Sequence, residues 1–183
     1  GKQTTESSEL SIQRPDLGAG AGERVAGRLG IARRVAIGPI LAIEQVNLPL
    51  SLVLHKVAPA IAVGNSVVLK PAPQTPLTSL LLQQIMTDAG LPAGALEICH
   101  CPVPLAESMV RDERFAMVSF TGSARVGWHI KEIAGRKKVA LELGGNGAVV
   151  VAEDADLDLA AARCVRGGVV YGGQYCIGVQ RIL

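Results

Sequence analysis

From Val35 onward, short β-branched or apolar runs alternate with segments of helical periodicity, and this alternation restricts the fold more than any other feature. VAIGPILAI (35–43), SVVLK (66–70), ALEI (95–98), FAMVSF (115–120) and KKVALEL (137–143) read as strands. PLSLVLHKVAPAIA (49–62), PLTSLLLQQIMTDAG (76–90), PLAESMVRD (104–112) and SARVGWHIKEIAG (123–135) read as the helices between them. Parallel strands need a crossover, which a helix supplies, so the pattern means βαβ units. The expected fold class is α/β with a doubly wound parallel sheet.

Local signals support these boundaries. Thr75 precedes Pro76 at the expected first turn of one helix, and Gly90 stands where its C-terminal cap belongs. Residues 1–34 are rich in Gly, Ser, Gln and Arg, include GAGAG at 18–22, and read as a loop-rich N-terminal segment. After LELGG, the strand AVVV leads to a long helix from about Asp156 to Val170 and a final apolar run, IGVQRIL. The expected division is therefore 1–34, a first domain over 35–145, and the beginning of a second α/β domain over 146–183.

Composition excludes several function classes. Hydrophobic residues make up 49% of the 183 and charged residues 19%, which is globular rather than disordered material. A net charge of +2 and 3% aromatic content give little basis for binding nucleic acid. No apolar run approaches the roughly 20 residues that span a bilayer, and no signal-peptide pattern opens the chain. A cytoplasmic protein is expected, with Cys99, Cys101, Cys164 and Cys176 reduced.

Two familiar phosphate motifs are missing. GAGAGE fails GxGxxG at its last position and follows no strand, and GSARVGW lacks the Lys and Ser/Thr of a phosphate loop. What remains is FTGSARVG, where Phe120 ends a strand and Thr121, Gly122 and Ser123 turn into a helix. That helix start can receive a phosphate on its free N–H groups, or it is an ordinary capped βα turn. Lys70 stands at the carboxyl end of a buried strand, where it either reaches a ribose or phosphate or is a solvated strand end.

Cys176, in GGQYC, reads as a small buried hydrophobe or as a reactive thiol in an open glycine-rich loop. Glu142, in LELGG, is a solvated carboxylate at a strand end or, in an apolar setting, a base of raised pKa. Asn47, in QVNLPL, can cap the following helix or donate to a developing oxyanion. Cys99, His100 and Cys101 alternate in direction along a strand and have no second cluster to complete a metal site, so no metal is expected. EDADLDLA has Leu159 and Val165 where a calcium loop needs Gly and Glu, and reads as an acidic helix start. His55 and His129 read as packing or surface residues.

Taken together, VNLPL, APAIAVGNSVVLKPAPQTP, DAGLPAG, FTGSARVG, LELGGNGAVVV, DADLD and GGQYC resemble the aldehyde dehydrogenase superfamily from about Val35 to Leu183. The resemblance implies a Rossmann-like cofactor domain followed by the beginning of a catalytic domain, and oxidation of a small aldehyde to the acid with NAD or NADP. It implies Cys176 as nucleophile, Glu142 as general base, and Asn47 with the Cys176 N–H as the oxyanion hole. The cofactor set it implies is Lys70, Ala72, Pro73, Phe120, Thr121, Gly122, Ser123, Leu143 and Gly144. Within that set, Lys70 takes the adenosine ribose and Ser123 with its helix start the pyrophosphate. Retention of the glutamate implies hydrolysis of a thioester rather than acyl transfer to coenzyme A.

Two departures qualify the carry-over. Pro73 stands where many NAD-preferring relatives have a glutamate for the ribose 2′-hydroxyl, so tolerance of NADP is expected. The ExFGP segment of complete relatives, most of the substrate domain and the oligomerisation strand are not among these residues, so little turnover is expected from this polypeptide alone. A full-length relative is implied to be a homo-oligomer. The LHK, RVGW and CIGVQRI segments look most like the branch acting on small polar aldehydes, phosphorylated or phosphonylated ones included. The competing expectation is a non-catalytic dinucleotide-binding or interaction module on the same scaffold.

Overall fold

β1 (Ile40–Ile43) is buried at all of its positions, which only the centre of a sheet covered on both faces allows. The computed structural model describes residues 34–183, so all but the last residue of the expected 1–34 segment, its GAGAGE stretch included, lies outside the described residues. Around β1 stand β2 (Val67–Lys70), β3 (Leu96–Ile98), β4 (Met117–Thr121) and β5 (Lys138–Glu142), all parallel, in the order β3-β2-β1-β4-β5. The crossovers are α1 (Ser51–Ala62), α2 (Pro76–Asp88), α3 (Val103–Arg111) and α4 (Ala124–Ile133).

Alternation along β1 divides the core in two. Ile40 and Ala42 face Val53, Val57 and Ala60 of α1 and Leu82 of α2, while Leu41 and Ile43 face Val110 of α3 and Ile130 of α4. Helices on both faces are the doubly wound arrangement expected from the sequence. Beyond β5, the short parallel strands β6 (Gly147–Val149) and β7 (Val179–Ile182) form a second sheet. Between them run α5 (Leu157–Val169) and a 3₁₀ turn at Val170–Gly173.

Register lines up the carboxyl edge, where Ile43 pairs with both Lys70 and Phe120, and Thr121 pairs with Glu142. Two local features differ from expectation. Only the second half of VAIGPILAI is strand, because the Ile37 and Gly38 N–H groups donate to the Asn65 Oδ1 (2.7 and 3.1 Å) and Pro39 has no N–H. Thr75 precedes Pro76 at the start of α2 as expected, but its hydroxyl makes no capping bond and is buried without a partner. Asp156 does cap α5, accepting from the Leu159 N–H at 3.0 Å, so EDADLDLA is a helix start.

Candidate functional site

The chain leaves β1 toward β2 and β3, and leaves β4 toward β5, so the loops after these two neighbouring strands diverge. Such a switch point opens a crevice at the carboxyl ends of the strands. Two clefts occupy it: one of about 300 Å³ between α3 and α4, and one of about 570 Å³ beside the cysteine loop. Gln45, Gly122 and Ser123 line both.

The smaller cleft has apolar walls from Val103, Ala106, Val110, Phe120, Val126 and Ile130, with Lys70 and Thr121 at its floor. Lys70 is only 7% exposed and its Nζ donates to the Pro71 carbonyl at 3.2 Å, which rules out the solvated strand end. Ser123 accepts from the Val126 N–H at 3.4 Å as the cap of α4, yet stays exposed to both clefts. α4 lies close to the strand ends because Gly127 has no side chain: a Cβ there would stand 2.4 Å from the Leu143 Cδ2. Ala72, buried, and Pro73, exposed, follow β2 and line neither described cleft. His129 is exposed, but it stands on the rim of this cleft with its Nε2 3.0 Å from the Glu107 Oε1 across the α3–α4 gap.

The larger cleft joins Asn47, Leu143, Gly144 and Cys176. Asn47 is 8% exposed and does not cap α1, which has no side-chain cap. Its Nδ2 instead donates to the Gln174 carbonyl at 2.9 Å, tying the β1 loop to the cysteine loop, and its Oδ1 accepts from the Gln45 Nε2 at 2.7 Å. Cys176 is half-buried rather than a core residue. Its loop follows a tight turn in which Tyr171 has φ 58°, and the Tyr171 and Tyr175 rings meet edge to face at 5.8 Å. The cleft is thus lined by both a cysteine and an amide held by two hydrogen bonds, the residue types that attack a carbonyl carbon and stabilise negative charge on its oxygen.

Glu142 does not join them. Its backbone carbonyl accepts from the Gly122 N–H at 3.0 Å, but its side chain is exposed and outside the residues that line the cleft. Glu142 is exposed rather than enclosed by apolar side chains. Among the described residues, no group of three or more His, Cys, Asp or Glu could hold a metal ion, and no helix is long and apolar enough to cross a membrane.

Sequence reasoning missed Gln45 and a buried charge cluster beneath the crevice. The Lys56 Nζ lies 3.1 Å from the Glu44 Oε1 and donates to the Thr121 Oγ1, with the Lys56 and Glu44 side chains 6% and 1% exposed. The Lys56–Glu44 contact is off the hydrogen-bond angle, leaving an ion pair without an aligned bond. Burial pushes the Glu44 carboxyl above its ordinary pKa, against the opposing pull of Lys56. A signal was available: Glu44 is the lone charge directly after an apolar strand, and Lys56 is the one Lys, Arg, Asp or Glu of a mainly apolar helix. Elsewhere, burial and then Cys99 push the Cys101 thiol above its ordinary pKa.

The fold and its crevice define an α/β protein of the open, doubly wound class with its clefts at the strand ends. The chain belongs to the aldehyde dehydrogenase family, whose sequence model matches residues 9–183. Among curated relatives, it is 44% identical over 156 residues to the 3-sulfolactaldehyde dehydrogenase of Priestia aryabhattai, covering 85% of this chain and 33% of that protein. Among solved structures, it is similar to an aldehyde dehydrogenase from Physcomitrella patens in complex with the reaction product succinate, with 47% identity, a TM-score of 0.76, and coverage of 81% and 31%. It is also similar to glyceraldehyde-3-phosphate dehydrogenase from Methanocaldococcus jannaschii complexed with NADP, at 40% identity and TM-score 0.77, covering 82% and 34%. The chain spans about a third of the length of these relatives.

Proposed function

We propose that this chain carries the cofactor-binding part and the nucleophile of an enzyme that oxidises a small polar aldehyde to its carboxylic acid. The observation that carries the reading is the Asn47 Nδ2–Gln174 carbonyl bond, which holds a buried amide at the cleft lined by Cys176. The relatives' names support an aldehyde as the substrate class.

The smaller cleft fits the adenosine end of a nicotinamide dinucleotide: apolar walls suit a base, Lys70 lies at the end of a strand, and the α4 N-terminus offers N–H groups to phosphate at the wall shared with the larger cleft. Bound there, NAD or NADP would supply the acceptor for a hydride. The Cys176 Sγ adds to the aldehyde carbon, and the Asn47 and Cys176 N–H groups receive the charge on its oxygen. After oxidation the acyl group remains on Cys176 as a thioester, and Glu142 takes a proton from the water that hydrolyses it. Ala72, Pro73, Leu143 and Gly144 complete the cofactor surroundings in this reading, with residues 35–145 as the cofactor domain and 146–183 as the first part of the catalytic domain.

The exposure of Glu142 favours a second reading, a dinucleotide-binding module without turnover. It also supports the expectation that this polypeptide alone turns over little, since positioning supplies much of a rate. Alkylation by iodoacetamide, followed by peptide mass spectrometry with and without NADP, separates the two. A Cys176 that reacts faster than Cys101 and Cys164, at a rate altered by NADP, supports the enzyme. A slow, NADP-insensitive Cys176 supports the binding module.

A further inference from the structure

We propose that Gln45 is a positioning residue that, together with the Gln174 carbonyl, holds the Asn47 carboxamide in place, and so keeps an N–H of Asn47 aimed at the cleft of Cys176. This rests on the oxyanion role given to Asn47 above. The oxygen and NH₂ of an asparagine are nearly equal in size, so packing alone does not choose between its two amide orientations. At Asn47 the choice is made by hydrogen bonds. The Gln45 Nε2 donates to Oδ1 at 2.7 Å, and Nδ2 donates to the Gln174 carbonyl at 2.9 Å. Turning the amide over would set its oxygen against the Gln174 carbonyl oxygen, and would keep a bond to Gln45 only if the Gln45 amide turned over with it. The Gln174 carbonyl uses one of the two Nδ2 protons, and the second is left for a ligand oxygen.

Gln45 is the partner whose loss can be tested. The Gln174 carbonyl belongs to the backbone, whereas Gln45 supplies the donor to Oδ1, and Asn47 is 8% exposed, so water replaces that donor poorly. Gln45 also lines both clefts, placing its side chain in the wall they share. Gln45 and Asn47 stand where the chain bends after β1, and the bend lets the two side chains meet.

The test compares two reactions of the same thiol in the full chain. With p-nitrophenyl acetate, the Cys176 sulfur bonds to the carbonyl carbon, negative charge collects on the carbonyl oxygen, and the C–O bond then breaks to release p-nitrophenolate. With iodoacetamide, an S–C bond forms as iodide leaves, and no oxyanion arises. For Gln45→Leu, acylation of Cys176 is expected to fall by at least about tenfold, with alkylation changed less than about twofold. Gln45→Glu, nearly isosteric, accepts rather than donates when ionised. Its acylation-to-alkylation ratio is expected to be low at about pH 8 and to rise toward about pH 5, where the carboxyl begins to gain its proton, while the wild-type ratio stays flat. Equal loss of both reactions, or no loss of acylation, would overturn the positioning role. A wild-type Cys176 that iodoacetamide alkylates but the ester does not acylate would overturn the oxyanion reading, and the Gln45 role with it.

Discussion

Gly145 lies so close to the Cys176 carbonyl that a Cβ at Gly145 would stand 2.1 Å from that oxygen. The second glycine of LELGG therefore packs against the cysteine loop itself, whereas a Cβ on Gly144 would meet nothing within 4 Å. Gly145→Ala must displace backbone and is expected to cost about 1–3 kcal/mol. Gly144→Ala is expected to stay within about 0.5 kcal/mol of wild type. Urea unfolding of the two variants checks this, and the alkylation rate of Cys176 should change in the first alone. Equal losses in both would show that contact with Cys176 is not the reason.

Lys56 neutralises a carboxylate that has no other cation beside it in the described cluster. Lys56→Met leaves Glu44 buried and unpaired, and is expected to cost about 3–5 kcal/mol. Replacing both, as Lys56→Met with Glu44→Leu, should recover most of that loss, because the desolvation penalty goes with the charge. A double variant as unstable as the single one would mean that the site is held by shape rather than charge balance.

The sheet was legible because its strands are buried on both faces and so appear as apolar runs, as in SVVLK and FAMVSF, between helices bounded by Pro76 and Gly90. Asn47, Lys70 and Ser123 stand out in the sequence for a related reason, since Lys70 ends β2 and the other two follow β1 and β4 within a few residues, at the edge where open α/β sheets place ligands. What pattern could not supply was orientation. Whether Asn47 caps a helix or faces a cleft depends on the Gln174 carbonyl, far along the chain and brought close only by the fold. The same limit hid the Glu44–Lys56 pair, whose members lie on different elements, and left the setting of Glu142 open until its exposure was seen.

A raised Glu44 pKa has a definite consequence for stability. Its folded-state value lies above the ordinary 4.5, so between the two the folded chain holds more protons than the unfolded one. The contribution of Glu44 is therefore fully present below about pH 4.5 and is lost as pH rises through the folded-state pKa. Glu44→Gln cannot titrate and should lack this fall. Thermal midpoints of the two proteins across the acidic range check it. A gap between wild type and variant that stays constant with pH would contradict the assignment.

Lys70 and Pro73 together bear on which dinucleotide is taken. Lys70 lines the smaller cleft and stands paired with Ile43 at the carboxyl edge, while Pro73 offers no carboxylate to a ribose 2′-hydroxyl or against a 2′-phosphate. A charged hydrogen bond to phosphate contributes about 1.5–3 kcal/mol, so Lys70→Met should weaken NADP by about 10- to 100-fold and NAD by less. Pro73→Glu should act in the opposite sense on the pair, lowering affinity for NADP relative to NAD through like-charge repulsion. Isothermal titration calorimetry of wild type and both variants with NAD and with NADP reads the affinities. A wild-type chain that bound NAD much more tightly than NADP would end the expectation of NADP tolerance. Unequal losses that fell on NAD instead would move Lys70 away from the phosphate and toward the ribose hydroxyls.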